Sequence, residues 1–532
     1  MEIMEQFMQL SAFQKLKELA AAPIDLREAL SAERIRKFVA ESAGFRCLFA
    51  MERVSDEVVE ALGLLAEQTH VHEKMEKMQK GEVVNFIEGY ASENRPALHT
   101  ALRDFFEGAE KAKTALQARE MARAEANKLQ AFEKRMEPYR HLVMIGIGGS
   151  ALGPEAIFRA LEGQIKPGKE VRFIVNVDPD DAAKALSGLD LKRTLVAVVS
   201  KSGTTEETLT NEALVKERFK RAGLDPKEHF IAITGEGSPM DDPSQYLASF
   251  YIWDWVGGRF SASSAIGGLI FTFAYGFATY WELLSGAHAM DMAALKRDIT
   301  ENLPLLGALL EVWNRNFLGY STLAIIPYSA GLSRLAAHIQ QVEMESNGKR
   351  INRLGEAVDF ETAPVIWGEP GTNAQHSFFQ MIHQGTSIIP IEFIGFKHSQ
   401  RNEDLEVEGA TSQEKLLSNL MAQSMALAVG QKNSNPNKTF AGNRPSHILW
   451  ASELNAKTLG ALLSYFEHKV AFEGFIWNIN SFDQEGVQLG KVLASRFVDL
   501  FRKKRGHVKR GYATKTQATP IEAALLEQWE RL

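Results

Sequence analysis

The stretch from Ser200 to Thr208 places a lysine, a glycine and several hydroxyl side chains directly after the apolar run Leu195 to Val199. Apolar residues resume helical spacing at Leu209, so the pattern predicts a loop between a buried strand and a helix. Helix N-termini, hydroxyl groups and an ammonium group all favour an anion. Ordinary Ser/Thr capping of the helix is the simpler interpretation, but the density of donors favours a phosphate. The candidate ligands are Ser200, Lys201, Ser202 and Thr205.

A second glycine-rich turn, Gly146 to Ala151, also lies between an apolar run and a helical pattern. It formally matches the G-x-G-x-x-G/A fingerprint of dinucleotide-binding proteins, with Asp178 at the end of the next predicted strand. Asp178 lies farther along the chain than the roughly 20 residues that the fingerprint expects. Two interpretations follow: an NAD site, or two loops from neighbouring strands that meet over one phosphorylated sugar.

Gln341 and Glu345 lie four residues apart in a predicted helix that begins near Leu332 and stops at Asn347-Gly348. This spacing puts both side chains on one face. At a helix C-terminus the dipole disfavours negative charge, which suits a carboxylate acting as general base near neutral pH. An exposed glutamate in a last helical turn is the common alternative.

Two further segments carry groups that could take part in catalysis. Gly368 to Gly385 is predicted to be a glycine-bounded helix that holds His376 and His383. The gap between these histidines, with no carboxylate nearby, argues against a metal site and leaves a packed core histidine as the alternative. Arg259 follows two glycines and precedes an uncharged segment, so it needs a partner if buried; a sugar oxyanion and a structural carboxylate are both candidates.

The C-terminal part of the chain contains one more candidate pair. Gln484 and Lys491 are seven residues apart, which predicts that both lie on one helical face, and Val487, Leu489 and Val492 are expected to anchor that helix. A short basic run then precedes a final amphipathic segment. Such a run is usually a solvated arm, so no contact with nucleic acid or membrane is expected. Its residues are Lys503, Lys504, Arg505, Lys509, Arg510 and Lys515.

The elements that must position these residues alternate between short apolar runs and helical segments. This alternation predicts parallel, doubly wound α/β sheets and occurs in two rounds, separated by the uncharged segment Phe260 to Trp281. Because glycines break that segment, it is predicted to be a buried helix and not a membrane span. The predicted strands are 142–145, 171–178, 194–199, 230–234 and 250–253, then 323–327, 364–367, 387–396 and 446–450.

The predicted fold class is therefore α/β, with two doubly wound parallel-sheet domains in tandem, an N-terminal helical layer with few strand signals and a C-terminal helical arm. The helical layer is expected to pack on the larger domain. The predicted boundaries are 1–125 for the helical segment, 126–285 for the first and smaller α/β domain, 286–500 for the second and 501–532 for the arm.

Composition narrows the class of protein. A chain of 532 residues with 45% hydrophobic and 24% charged residues is typical of a globular protein of two or more domains. A net charge of -7 argues against a nucleic-acid partner. The single cysteine, Cys47, excludes an intrachain disulfide, and Met1 to Glu5 carries acid where a signal peptide carries base. A cytoplasmic location is expected.

Taken in order, these segments resemble the signature blocks of the glucose-6-phosphate isomerase family. The blocks span most of the chain in family order, and their joint occurrence is highly specific. Glu93 to Arg103 resembles a further block. Ala151 departs from the aspartate of many members, and Ser202-Gly203 resembles bacterial forms. The matching blocks are Gly146–Pro154, Ser200–Thr208, Gly257–Ser264, Met344–Lys349, Gly368–Gly385, Phe440–Ser446 and Asp483–Lys491.

The resemblance implies a reversible conversion of glucose 6-phosphate and fructose 6-phosphate through a cis-enediol, without metal or organic cofactor. It implies that Glu345 carries the proton between C2 and C1 and that Arg259 stabilises the enediolate. It assigns ring opening to His383, donated by the partner of a homodimer, and Lys491. The implied ligands are Ser200, Lys201, Ser202 and Thr205 for the phosphate, Gly149 and Ser150 for the sugar, and Gln341 and Gln484 as polar neighbours of both.

Two other functions remain open from the sequence. A phosphosugar-binding protein of the same fold without catalysis would keep Ser200 to Thr208 but lose the base. An NAD-linked dehydrogenase would depend on Gly146 to Ala151.

Overall fold

A computed structural model of the chain describes residues 7–106, 113–505 and 517–532. The sequence-based expectations for Met1 to Glu5 and for Lys509, Arg510 and Lys515 lie outside these ranges. The described residues form two compact units, Met1–Phe482 and Asp483–Leu532. The first unit contains both large sheets. The domain boundaries given above stay a prediction.

The secondary structure is mixed, with long helices between short strands. The strands are β1 Val39–Ser42, β2 Phe45–Leu48, β3 Val83–Asn85, β4 Arg95–Pro96, β5 His141–Ile145, β6 Glu170–Ile174, β7 Thr194–Ser200, β8 Phe230–Thr234, β9 Ala248–Tyr251, β10 Thr322–Pro327, β11 Val365–Trp367, β12 Ile391–Phe396, β13 Glu406–Val407, β14 Ala410–Thr411 and β15 Ser446–Ala451. The α-helices are α1 Ser11–Ala20, α2 Leu26–Ala29, α3 Ala32–Lys37, α4 Asp56–Gln68, α5 Val71–Lys80, α6 Lys113–Met136, α7 Leu152–Leu161, α8 Pro179–Leu186, α9 Glu206–Arg221, α10 Ala265–Ala274, α11 Phe277–Ala293, α12 Leu303–Val312, α13 Leu335–Gln340, α14 Gly371–Gln375, α15 Phe379–Gln384, α16 Ser412–Val429, α17 Ala456–Ile476, α18 Gln488–Lys504 and α19 Pro520–Glu530.

The first large sheet has the order β6-β5-β7-β8-β9, and all of its strands are parallel. Strand β7 is buried along its whole length, as expected when helices cover both faces of a parallel sheet. The chain starts at β5, adds β6 on one side and then returns to add β7 on the other. In open α/β sheets, ligands bind at the carboxyl ends of the strands where the order reverses in this way. The loops after β5 and β7 therefore border the expected crevice.

The second large sheet has the order β1-β2-β15-β12-β10-β11. Strands β11, β10, β12 and β15 are parallel and repeat the arrangement of the first sheet, which confirms the predicted α/β class. The N-terminal layer is mainly helical, but it also contains strands that the sequence did not signal: β1 and β2 form a hairpin that extends this sheet antiparallel to β15. Its short strands alternate buried and exposed residues and carry no apolar run.

The uncharged segment after Arg259 forms two helices, α10 and α11, and not one. Gly276, with φ of 102°, separates them. Helix α11 packs closely along α17, and glycines on both helices allow this. A Cβ at Gly286 would lie 1.7 Å from the carbonyl oxygen of Lys457, and a Cβ at Gly460 would lie 1.9 Å from the carbonyl oxygen of Leu283. Among the helices of the described ranges, none combines the length and apolar character that crossing a bilayer requires.

Candidate active site

The loop after β7 gathers its hydroxyl groups at the N-terminus of α9. The Ser200 and Thr205 hydroxyl oxygens lie 2.8 Å apart, and the Thr204 hydroxyl donates to the Ser202 oxygen at 3.0 Å. Thr205 occupies the N-cap position of α9 but makes no side-chain capping bond. Side-chain capping, the simpler interpretation of the sequence, therefore does not account for Thr205. Gly203 has φ of 67° and lies against Ser238, where a Cβ would meet the hydroxyl oxygen at 2.9 Å.

Lys201 connects this loop to the segment that follows β9. Its Nζ donates to the carbonyl oxygen of Val256 at 3.0 Å and lies 3.9 Å from Asp254 Oδ1. Burial lowers the pKa of Lys201, and the nearby Arg95 lowers it further. Arg95 itself lies 3.6 Å from the Asp254 carboxylate and pairs with Glu93. The Glu93 to Arg103 block thus contributes charge beside the loop, which its pattern alone did not indicate.

The glycine turn after β5 lies directly against the residues around Arg259. A Cβ at Gly149 would lie 2.3 Å from the Gly258 carbonyl carbon and oxygen and 2.7 Å from the Arg259 nitrogen. Only glycine permits this approach. Ser150 stands at the end of the turn and is half-buried. Asp178, which the dinucleotide interpretation required, caps α8 by accepting from the Asp180 amide at 3.0 Å.

Arg259 is buried, and its side chain is 1% exposed. Nε donates to the Ser346 hydroxyl oxygen at 2.6 Å, and Nη2 donates to the carbonyl oxygen of Ser481 at 2.7 Å. Nη1 lies 3.6 Å from Glu345 Oε2. The sequence left a sugar oxyanion and a structural carboxylate as alternative partners for Arg259. In the structure its guanidinium has a carboxylate neighbour, Glu345, and also donates to neutral acceptors. These contacts fix the position of the guanidinium.

Glu345 does not end a regular helix as the spacing predicted. Helix α13 stops at Gln340 and continues as a π-helical turn over Gln341–Glu345. Gln341 Nε2 donates to Glu345 Oε2 at 2.9 Å, so the two side chains do meet. A Cβ at Gly148 would lie 3.5 Å from the same Gln341 nitrogen. The Glu345 side chain is 24% exposed, which leaves it accessible beside the buried Arg259.

Four segments therefore meet at the carboxyl edge of the first sheet. The loop after β7 reaches the 253–259 segment through Lys201, and that segment touches the glycine turn after β5 at Gly149. The Gln341 side chain of the π-helical turn lies beside Gly148, where a Cβ would meet it at 3.5 Å, and Glu345 of the same turn lies 3.6 Å from Arg259. The structure thus brings together donors for an anion, a buried cation and an accessible carboxylate.

His383 lies elsewhere in the first unit. The predicted single helix is two short ones, α14 and α15, and His383 stands near the end of α15. Its Nε2 lies 2.7 Å from Gln423 Oε1 on α16, and its ring packs edge-on against Phe440. Within the described residues of this chain, no hydrogen bond or ion pair joins His383 to Glu345 or Arg259.

Gln484 and Lys491 belong to the second unit. The expectation that they share a helical face was wrong, because Gln484 precedes a 3-10 turn and α18 begins only at Gln488. Lys491 is exposed on α18. The apolar residues expected to anchor the helix do not: Leu489 is 70% exposed and Val492 is 60% exposed. Within this unit, α18 contacts α19 through Arg496, whose guanidinium binds the Glu522 carboxylate at 2.7 and 3.0 Å.

Comparison with known proteins extends over nearly the whole chain. Residues 48–518 match the sequence model of the phosphoglucose isomerase family. A glucose-6-phosphate isomerase of Protochlamydia amoebophila is 58% identical, over 94% of this chain and 94% of that protein. A glucose-6-phosphate isomerase of Chlamydia pneumoniae is 53% identical, over 93% and 95%. The crystal structure of a glucose-6-phosphate isomerase from Chlamydia trachomatis matches with a TM-score of 0.94 at 47% identity, covering 99% of this chain and 100% of that chain.

Proposed function

The chain belongs to the phosphoglucose isomerase family, and we propose that it interconverts glucose 6-phosphate and fructose 6-phosphate at the site formed by the loop after β7, Arg259 and Glu345. The observation that carries this proposal is the pairing of an accessible Glu345 carboxylate with a buried guanidinium 3.6 Å away. Moving a proton next to a carbonyl requires a base and a group that stabilises the resulting oxyanion. The pair supplies both.

The phosphate is held by the loop after β7. Its hydroxyls at Ser200, Ser202 and Thr205 lie at the N-terminus of a helix of 16 residues, α9. Amide groups and the helix dipole favour a dianion at this point. Lys201 adds a positive charge at the base of the loop. This anchoring selects phosphorylated sugars and orients their carbon chain towards Glu345.

Glu345 is the base that carries the proton between C2 and C1. Arg259 is held by Ser346 and Ser481 before any substrate arrives, so little reorganisation is needed when charge develops on the enediolate oxygen. Gln341 orients the Glu345 carboxylate by its 2.9 Å hydrogen bond. The other atom of its amide, Oε1, is buried and has no hydrogen-bond partner within the described residues, which leaves it as an acceptor for a sugar hydroxyl. Gly149 and Ser150 line the sugar pocket, with Gln484 as a further polar neighbour.

Incubation with fructose 6-phosphate and no added cofactor tests the activity directly, and failure to form glucose 6-phosphate would contradict the proposal.

The variant Glu345→Gln tests the role of the base. We expect kcat to fall by about 100-fold or more, while binding of glucitol 6-phosphate, which has a phosphate but no carbonyl, stays largely unchanged. The exposed Glu301, changed to Gln, is the control. Turnover of Glu345→Gln within about tenfold of wild type, or about 1.4 kcal/mol of barrier, would exclude this role.

Ring opening is assigned to His383 and Lys491, and His383 acts in the site of the partner subunit of a homodimer. Within its own chain the His383 ring contacts Gln423 and Phe440 and remains half-buried. This partial exposure is compatible with a contact between His383 and a partner subunit. Mixing the inactive variants His383→Ala and Glu345→Gln tests this arrangement. In a random mixture of two-fold dimers, about a quarter of the sites would contain neither substitution. A mixture that stays inactive after subunit exchange would contradict donation across the interface.

The reaction belongs to glycolysis and, in the reverse direction, to gluconeogenesis. Both substrates carry a phosphate whose charge makes passage through a bilayer costly. An enzyme that acts on them is therefore expected in the cytoplasm, where phosphorylated sugars are retained. Fractionation of cells with an antibody against the chain tests this location, and recovery outside the cytoplasm would contradict it.

A further inference from the structure

The two residues that follow Glu345 both reach towards Arg259. Ser346 accepts directly from Arg259 Nε at 2.6 Å. Asn347 reaches Arg259 indirectly, through Ser481. Its Oδ1 accepts from the Ser481 hydroxyl at 2.7 Å, and the backbone carbonyl of Ser481 accepts from Arg259 Nη2 at 2.7 Å. The segment that carries the carboxylate therefore also holds the cation.

The amide nitrogen of Asn347 binds on the opposite side. It lies 3.2 Å from Glu343 Oε1 in the π-helical turn, 3.2 Å from Glu473 Oε2 on α17 and 3.0 Å from the carbonyl oxygen of Val470 on the same helix. Asn347, Glu343 and Glu473 are all at most 3% exposed. Polar groups this deeply buried are costly when one partner is removed, so the arrangement is rigid.

The carboxyl groups of Glu343 and Glu473 lie on the same amide nitrogen and shift each other's titration. Burial raises the pKa of Glu473 well above its usual range, and the adjacent Glu343 raises it further. Burial also raises the pKa of Glu343. Both shifts favour a carboxyl proton on the pair, and the Asn347 amide donates to both side chains. The ammonium of Lys469 lies 3.9 Å from Glu473 on the far side.

We propose that Asn347 is a positioning residue of the isomerase: through Ser481 on one side and the Glu343 and Glu473 pair on the other, it sets the separation between the Glu345 carboxylate and the Arg259 guanidinium. The inference rests on the proposed function of these two groups. Asn347 does not touch the phosphate loop, which is why its effect should fall on turnover and not on substrate binding.

The variant Asn347→Asp keeps the size and the acceptor for Ser481 but replaces the nitrogen that donates to Glu343, Glu473 and Val470. We expect kcat to fall by about 10- to 100-fold, because misplacement of reacting groups by about 1 Å costs this much. The KM for fructose 6-phosphate and the affinity for glucitol 6-phosphate should change less than about threefold. The substitution leaves in place the contacts that bind substrate equally in the ground state and the transition state.

A kinetic isotope effect separates positioning from mere loss of folded protein. With glucose 6-phosphate deuterated at C2, a misplaced base makes proton abstraction slower relative to the other steps, so the isotope effect on kcat should rise in Asn347→Asp. A purely structural role would lower the active fraction and leave the isotope effect as in the wild type. That outcome would overturn the proposal even if activity fell.

Two further variants complete the test. Adding Glu343→Gln to Asn347→Asp returns an amide donor opposite the new carboxyl and should recover at least part of kcat; no recovery would contradict the proposed link. Asn352 is a matched control, because its amide also donates to a glutamate, Glu356, at 3.0 Å but in a surface turn; Asn352→Asp should keep kcat and the isotope effect. If wild type turns over and Glu345→Gln does not, the proposed function stands whatever the Asn347 variants do.

Discussion

Replacing Gly149 by alanine tests how closely the glycine turn fixes Arg259. The new Cβ would lie 2.3 Å from the Gly258 carbonyl carbon and 2.7 Å from the Arg259 nitrogen. Carbon atoms pack at about 3.5 to 4.0 Å, so the two backbones must separate by about 1 Å. Both neighbours are backbone atoms, so no side-chain rotation can relieve the contact. The shift therefore passes directly to the segment that carries Arg259.

The expected consequence is a loss of transition-state stabilisation. A displacement of about 1 Å lowers the rate by about 100-fold, which corresponds to about 2.7 kcal/mol of barrier. The assay is steady-state conversion of fructose 6-phosphate, with the affinity for glucitol 6-phosphate measured in parallel. We expect kcat to fall while the phosphosugar still binds, because the hydroxyls of Ser200 and Thr205 are not part of the clash.

The control for this substitution is Gly63→Ala in α4, where a Cβ meets nothing within 4 Å. It should keep full activity and gain about 0.5 to 1 kcal/mol of stability, as expected for alanine in a helix. A Gly149→Ala protein that is folded by circular dichroism and turns over within about tenfold of wild type would refute the reasoning.

Two other predictions concern stability. Gly286→Ala should lower the free energy of unfolding by about 3 kcal/mol or more, because its Cβ would lie 1.7 Å from the Lys457 carbonyl oxygen; an unchanged denaturant midpoint would contradict close packing of α11 on α17. Burial alone would lower the pKa of His447, but the facing carboxylates of Glu392 and Glu52 raise it to about 9 from 6.5. Because the pKa of His447 is higher in the folded state, the charged imidazole contributes its full stabilisation to the folded protein below about pH 6.5. This contribution to the free energy of unfolding is lost as the pH rises through about 9. The difference in unfolding free energy between wild type and His447→Gln should therefore shrink over that interval, and a difference that stays constant would exclude the charged imidazole.

The sequence predicts the central strands of both sheets well, and for a physical reason. Parallel strands that are covered on both faces are continuous apolar runs, so the predicted 194–199 and 230–234 match β7 and β8 almost residue for residue. The hairpin of β1 and β2 was missed because its turn is Ala43-Gly44, which takes positive φ angles without the Asn-Gly or Asp-Gly signal of such turns.

At the site, the sequence indicates residue types but not their partners. The hydroxyl loop and the pair Gln341 and Glu345 could be predicted because loop composition and a four-residue spacing are local signals. The π-helical turn could not, since it lies at the end of the helix, where too few helical residues follow to reveal the shift in periodicity that one extra residue causes. The two residues that accept hydrogen bonds from Arg259 could not be predicted either. Ser346 and Ser481 come from segments that only the tertiary fold brings next to Arg259.

One helix, α17, connects the supports of both groups that we assign to proton transfer. On one face, Glu467 and His468 belong to a buried network in which Arg103 pairs with Asp291. Beside this network His99 stacks on Phe260, the residue next to Arg259, with ring centroids 4.7 Å apart.

On another face of α17, Lys469 and Glu473 belong to the network that reaches Asn347. Buried ion pairs contribute little net stability, and apolar residues of similar volume often do as well. Their role on both faces of one helix is better explained by geometry than by stability. Arg259 and Glu345 come from distant parts of the chain, and both are linked to α17 through these networks, as we propose for the positioning of a base against a cation.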